Sequence, residues 1–211
     1  MIEADALLFD LDGTLVDSTP AVLRSWTRWA VEHGVTAEQF AAVHSHGRTA
    51  AELVADLLPA HRVPGAVARI EELERSDTEG IAALPGAAEL LATLPADRWA
   101  IVTSGVRPLA RARIAAAGLP VPGVLVTADD VARGKPDPEP FLLGAARLAV
   151  PAQRCVVVED APAGLAAARA AGMRSVAVTT THGTDDLAAD LVVPDLSALT
   201  VIATDVLRLS T

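Results

Sequence analysis

Lysine is almost missing from this chain. Of 17 basic side chains, 16 are arginine and one, Lys135, is lysine. Cations of both kinds are few against 27 Asp and Glu, and the formal net charge is −10. No Lys/Arg cluster builds the basic face that a nucleic-acid partner needs. An anionic membrane surface is disfavoured for the same reason. A small anionic substrate is not excluded, because a few focused cations can hold one against the global field.

Aromatic residues make up only 3% of the chain and tyrosine is absent, so any core must be aliphatic. The single cysteine, Cys155, has no internal disulfide partner. It sits in the apolar run "RCVVVED" and reads as a small buried hydrophobe. No stretch approaches the ~18 apolar residues of a membrane span. The start, "MIEADALLFDLDG", carries Glu3, Asp5 and Asp10 and lacks the basic, then apolar, pattern of a signal peptide. These absences predict a soluble cytoplasmic protein.

What is present points to an α/β fold. Hydrophobic residues reach 51% over 211 positions, enough for one large domain or a domain with a modest insert. Six short apolar runs, at 5–10, 98–104, 123–128, 154–160, 174–180 and 190–194, lack alternation, as strands buried on both faces should. Helical patterns separate them, which predicts βαβ units and a parallel sheet. "RPLARARIAAAG" has Pro108 near its start and Gly118 past its end; "APAGLAAARAAG" repeats the device with Pro162 and Gly172. "DPEPFLLGAARLAV" is a third helix. Between about 17 and 84 no β-like run appears. Val22, Trp26, Trp29 and His33 fall there at helical spacing, and "AAELVADLLP" and "PGAVARIEELERSD" are also helical. That block is far longer than an ordinary crossover and predicts an inserted helical unit over 17–84, with residues 1–16 and 85–211 forming the α/β core.

The chemistry-bearing residues gather at the ends of the predicted strands, where open parallel sheets bind ligands. "FDLDGTLVD" places Asp10 and Asp12 one residue apart, with Gly13 for a tight turn and Thr14 able to hydrogen-bond a carboxylate. Two carboxylates held so close imply a cation or a shared proton, unless they merely cap a solvated turn. "VVVEDAPAG" adds Glu159 and Asp160, although Asp160 alone also suits a helix cap. If these strands are neighbours, the carboxylates converge on a site for a hard divalent cation such as Mg²⁺. "IVTSG" offers Thr103, Ser104 and Gly105, suited to phosphate oxygens or to plain turn chemistry. Ser104 is no hydrolase nucleophile of the G-x-S-x-G kind, since Val102 fills the first glycine position. Lys135, in a loop stiffened by Pro136 and Pro138, is a compact point charge able to bridge a carboxylate and a phosphate. It is not a nucleotide P-loop lysine: Pro136 replaces Ser/Thr and Asp129 replaces the first glycine.

Together, "DLDGT", "VTSG", "GKPDP" and "VVVEDAPAG" resemble the four motifs of the haloacid dehalogenase superfamily, in order over residues 8–164. "WAIVTSGVRPLA", "GKPDPEPF", "EDAPAGLAAARAAG" and the "SHGRT" of 45–49 resemble its sugar-phosphate and glycerol-3-phosphate phosphatases, with beta-phosphoglucomutase a relative. The resemblance implies a Rossmann-like three-layer α/β/α core with an all-helical cap, acting as a Mg²⁺-dependent phosphatase. It implies Asp10 as nucleophile and Asp12 as general acid, then base. Thr103, with the amides of Ser104 and Gly105, would grip the phosphoryl group, and Lys135 would neutralise charge. Asp10, Asp160 and the Asp12 carbonyl would hold Mg²⁺, with Glu159 assisting directly or through water. In the cap, Arg48, with His46 and Gly47, is the expected ligand of the substrate; His44 and His33 are read as structural. The implied partner is a small-molecule phosphate monoester bound by a monomer. One position departs from the mutases, which carry a histidine where this chain has Val22, and so favours hydrolysis. The alternatives are a sugar phosphomutase, a phosphoglycolate phosphatase and a non-catalytic binding protein.

Overall fold

A computed structural model describes residues 1–43 and 49–211. Its centre is a six-stranded parallel sheet. The strands are β2 (Ala6–Phe9), β5 (Trp99–Val102), β6 (Val124–Val126), β7 (Cys155–Glu159), β8 (Arg174–Val178) and β9 (Leu191–Val193), in the order β6-β5-β2-β7-β8-β9. All six expected apolar runs are strands of this sheet. Central β2 pairs with β5 through Leu8↔Ala100 and with β7 through Leu8↔Val157.

Both sheet faces are covered, which is why the strands do not alternate. Leu7, Phe9, Ile101, Val156 and Val158 point to one side, against Leu90 and Leu91 of α5 (Ala87–Thr93) and Ala110 and Ile114 of α6 (Arg107–Ala116). Ala6, Leu8, Ala100, Val102 and Val157 point to the other. There they meet Phe141 and Ala145 of α7 (Glu139–Arg147) and Ala167 and Ala168 of α8 (Pro162–Ala170). The expected punctuation holds: a proline opens α6 and α8, and Gly118 and Gly172 follow their ends with positive φ. Cys155 is buried in the second face, and burial pushes its thiol up to about 11.

Four helices follow β2: α1 (Thr19–His33), α2 (Ala37–Ala41), α3 (Ala50–Leu57) and α4 (Val63–Ser76). They enclose a separate core of Trp26, Trp29, Leu53, Val54, Ile70 and Leu73. The Trp26 and Trp29 rings meet edge-on, centroids 5.2 Å apart, and Trp29 Nε1 donates to the Ala66 carbonyl at 2.8 Å. The His33 ring stacks on Trp29, 4.7 Å between centroids.

Three features lay outside the sequence reading. The chain enters and leaves the helical block through a two-residue antiparallel ribbon, β3 (Val16–Asp17) on β4 (Ala82–Ala83). Residues 16–17 and 82–83 are too short to show a β pattern. A second sheet joins β1 (Ile2–Ala4), β10 (Thr200–Ala203) and β11 (Leu207–Ser210), antiparallel in the order β1-β11-β10. Its strands are only three or four residues long. Helix α5 is a short seven-residue element.

Candidate active site

Adjacent strands β5, β2 and β7 end side by side, so Thr103, Asp10 and Glu159-Asp160 share one edge of the sheet. The parallel βαβ arrangement makes this juxtaposition obligatory, because every carboxyl end points the same way. The loop after β6 then brings Lys135 beneath them. Its side chain has 0% exposure. Lys135 Nζ donates to Asp10 Oδ1 at 2.5 Å, Glu159 Oε1 at 2.8 Å and the Val102 carbonyl at 2.9 Å. The Phe141 ring lies 4.9 Å away and closes the pocket. All three ammonium donors are therefore satisfied. Burial disfavours the charge, but Asp10 and Glu159 outweigh it and raise the Lys135 pKa above the ordinary lysine value.

Carboxylate oxygens of Asp10, Glu159 and Asp160, all buried, lie within 4.8 Å of one another. Burial holds the Asp10 carboxyl well above the usual range; Lys135 pulls it down, and Glu159 and Asp160 add repulsion. Burial likewise pushes Asp160 up to about 7, with Glu159 repelling and the Thr181 and Thr14 hydroxyls working against both. One ammonium cannot balance three carboxylates, and a divalent cation would complete the neutralisation. The all-oxygen donor set is the kind Mg²⁺ takes.

The neighbours are as specific as the ligands. Thr14 Oγ1 donates to Asp160 Oδ1 at 3.1 Å, and Thr181 donates to Asp160 Oδ2. Glu159 Oε2 accepts the backbone N–H groups of Asp160 and Ala161, both at 2.9 Å, so each Glu159 oxygen has a protein partner. Two glycines make room. Gly13, at φ +87°, is in the left-handed region, and a side chain there would run into the Asp160 carboxyl. A side chain at Gly164 would run into the Glu159 carboxyl.

A cavity of about 310 Å³ opens above this cluster. Asp10, Asp12, Thr103, Ser104, Gly105 and Asp160 form its core side; Val22, Trp26, Phe40 and Leu53 of the helical block form the facing wall. Glu71 and Glu74 of α4 also line it. Among the described residues Glu71 has no hydrogen-bond or ion-pair partner, and burial with repulsion from Asp129 raises its pKa. Asp12 points away from the acidic cluster: Oδ1 accepts from Ser18 Oγ at 2.7 Å and Oδ2 pairs with Arg113 Nη1 at 2.8 Å. The Gly105 N–H donates to Thr103 Oγ1 at 3.1 Å, so this hydroxyl also orders its own turn.

Asp10, Asp12, Thr103, Ser104, Gly105, Lys135, Glu159 and Asp160 thus converge. His46, Gly47 and Arg48 lie outside the described residues. Sequence reasoning passed over Thr181, Ser18, Glu74 and Arg113. "TTTHG" after β8 carries the same hydroxyl-rich strand-end signal as "VTSG". Arg113 and Glu74 stand on the buried stripes of their helices, beside Ile114 and Leu73, where a charge is out of place.

A model of haloacid dehalogenase-like hydrolases matches residues 4–172. The chain belongs to the haloacid dehalogenase-like hydrolase family. It is 48% identical to hexitol phosphatase A of Escherichia coli (strain K12), covering 92% of each chain. It is 35% identical to glycerol-1-phosphate phosphohydrolase 2 of Saccharomyces cerevisiae, over 88% of this chain and 79% of that one. The crystal structure of beta-phosphoglucomutase from Clostridium difficile superposes with a TM-score of 0.79 at 25% identity, covering 92% of each chain. A six-stranded parallel sheet with helices on both faces is the architecture expected of this family. As a member of it, the protein is a hydrolase.

Proposed function

We propose that the protein is a Mg²⁺-dependent phosphatase of small sugar or polyol phosphate monoesters, with residues 17–84 acting as its cap. The observation that carries this reading is Asp10. It follows the central strand, is charge-paired to a fully buried lysine, sits in a three-carboxylate cluster and borders a cavity faced by the helical block.

Asp10 Oδ attacks phosphorus while the ester P–O bond breaks, and Asp12 gives its proton to the departing alkoxide. Water then attacks the aspartyl phosphate and loses a proton to Asp12, which releases inorganic phosphate and restores the Asp10 carboxylate. Lys135 fixes the Asp10 carboxylate and offsets its charge as an anion approaches. Asp10, Asp160 and the main-chain carbonyl of Asp12 would hold the Mg²⁺. When bound, the ion supplies charge neutralisation and orients the phosphoryl oxygens. Glu159 supports the site through Lys135 and the 160–161 backbone. Thr103, Ser104 and Gly105 are assigned to the phosphoryl group, and Arg48, with His46 and Gly47 nearby, to the substrate's phosphate or hydroxyls.

The cavity wall supports a polyhydroxylated leaving group. Glu71 offers unused acceptors for hydroxyls, and Trp26 and Val22 an apolar floor. The named activities of the hexitol and glycerol phosphatase relatives point the same way. We assign it to the cytoplasm as a monomer; no helix among the described residues is long and apolar enough to cross a membrane.

A phosphate-release screen with Mg²⁺ across sugar, polyol and nucleoside phosphates and phosphoglycolate tests the reading. Release from sugar or polyol esters is expected; release from none overturns it, and full activity in EDTA removes the metal. The likeness to beta-phosphoglucomutase favours a second reading, a phosphomutase. Val22, the position at which the resemblance to the mutases leads one to expect a histidine, lines the cavity and stands against it. Bisphosphate-dependent isomerisation with little free phosphate would establish it.

A further inference from the structure

Arg113 is a core residue with two carboxylate partners from different parts of the fold. It sits on α6, and its side chain is only 6% exposed. Nη1 lies 2.8 Å from Asp12 Oδ2, on the loop after β2. Nη2 donates to Glu74 Oε1 at 3.0 Å, on the last turns of α4 in the helical block, where Glu74 is itself 8% exposed. One guanidinium therefore ties the helical block to the loop that carries Asp12.

Stability alone is a poor explanation for this triad. Buried ion pairs roughly break even against apolar packing of the same volume, because desolvation offsets the Coulombic gain. This one is also imperfect. Arg113 Nε is buried with no hydrogen-bond partner among the described residues, and a buried donor without an acceptor is costly. One cation also faces two carboxylates. Burial raises the Glu74 pKa, Arg113 opposes this and Asp12 adds to it. The arrangement does restrict the Asp12 side chain. Ser18 Oγ holds one oxygen and Arg113 the other, so the carboxylate has one orientation beside the cavity that Arg113 and Glu74 also line. A planar guanidinium can make two such bonds in a fixed fork, which an ammonium cannot.

We propose that Arg113 is a positioning residue for Asp12, and that Glu74 couples the seating of the helical block to that position. This rests on the reading of Asp12 as the group that protonates the leaving oxygen. Substrate enclosure and the aim of the acid are then set together: when α4 is in place, Glu74 orients the guanidinium, and the guanidinium orients Asp12.

The test compares two monoesters with Mg²⁺ present. An alkyl ester such as a hexitol or glycerol phosphate needs a proton on its leaving oxygen, whereas p-nitrophenyl phosphate does not. The ratio of their kcat/KM values reports steps up to departure of the alcohol, so later hydrolysis of the aspartyl phosphate cancels. Arg113→Met is expected to lower alkyl-ester kcat/KM at least about tenfold more than aryl-ester kcat/KM, the signature expected of Asp12→Asn, with Arg113→Lys recovering part of the loss. Glu74→Gln is expected to shift the ratio in the same direction, by about threefold or more. Equal losses for both esters in Arg113→Met would make the residue merely structural and overturn the proposal. If Arg113→Met does not fold, Glu74→Gln decides: an unchanged ratio overturns the coupling, and a shifted ratio supports it. A wild-type protein inactive on both esters overturns the phosphatase reading and this proposal together. An active one with an unchanged ratio in the variants overturns this proposal alone.

Discussion

In the α/β core, the buried cation Lys135 takes all its acceptors from one scaffold: a strand end, the adjacent strand end and a backbone carbonyl. At the edge of the helical block, the buried cation Arg113 takes one acceptor from a core loop and one from α4. The first arrangement has no moving part, since β5, β2 and β7 are hydrogen-bonded to one another. The second spans two bodies with separate hydrophobic cores, joined through a two-residue ribbon. In the proposed function, chemistry that needs fixed atoms sits on the hydrogen-bonded sheet, and enclosure of the substrate falls to the helical block.

Four substitutions or conditions sharpen that contrast. Asp10→Asn removes the attacking carboxylate and should lower phosphate release by at least about a thousandfold, with the circular dichroism spectrum unchanged. Residual activity near wild type would remove Asp10 from the chemistry. Lys135→Arg keeps the charge but must fit a larger fork among three acceptors in a fully enclosed site, and should cost about a hundredfold in turnover. A near-normal rate would show that charge alone matters.

The third prediction concerns pH in the metal-free protein. The Asp160 carboxyl is raised from 3.8 to about 7. Between those values the folded state binds more protons than the unfolded one, so EDTA-treated protein should lose thermal stability as pH rises through that window. Mg²⁺ requires the deprotonated carboxylates, so the rise in Tm on adding it should be larger at pH 8 than at pH 5. Equal shifts at both values would count against the cluster as the metal site.

The smallest effect on activity should come from the helical core. Trp29→Phe deletes the hydrogen bond to the Ala66 carbonyl and should cost about 1–2 kcal/mol of stability. Its kcat should stay within about twofold, measured beside Asp10→Asn. A collapse of kcat would mean that the two bodies are less independent than their separate cores imply.

The sheet was legible because buried parallel strands leave unbroken apolar runs, and 98–104, 154–160 and 174–180 are such runs. The ribbon at 16–17 and 82–83 was not, because two residues show no period; the sheet of β1, β10 and β11 was not, because Glu3, Thr200 and Arg208 interrupt the apolar runs of its partly exposed strands. Asp10, Asp12, Thr103 and Asp160 could be picked out as acid or hydroxyl at strand ends, and Lys135 as the lone lysine in a proline-stiffened loop. Thr181 shows the same signal, but three consecutive threonines at 179–181 do not say which one faces Asp160.

The sequence by itself determined the chain order of strands and helices and placed the carboxylates at strand ends, while the pairing of β2 with β7 in the folded sheet brought them together. Local periodicity makes the elements, and the common direction of parallel strands brings their ends together. Only the tertiary structure decided which partner each charged group takes. Arg113 and Glu74 are 39 residues apart, and Lys135 and Asp10 are 125 apart. No local pattern links such pairs. They meet because α6 and the β6–α7 loop are folded back over β2, and burial then forces every charge to find a partner within hydrogen-bond reach.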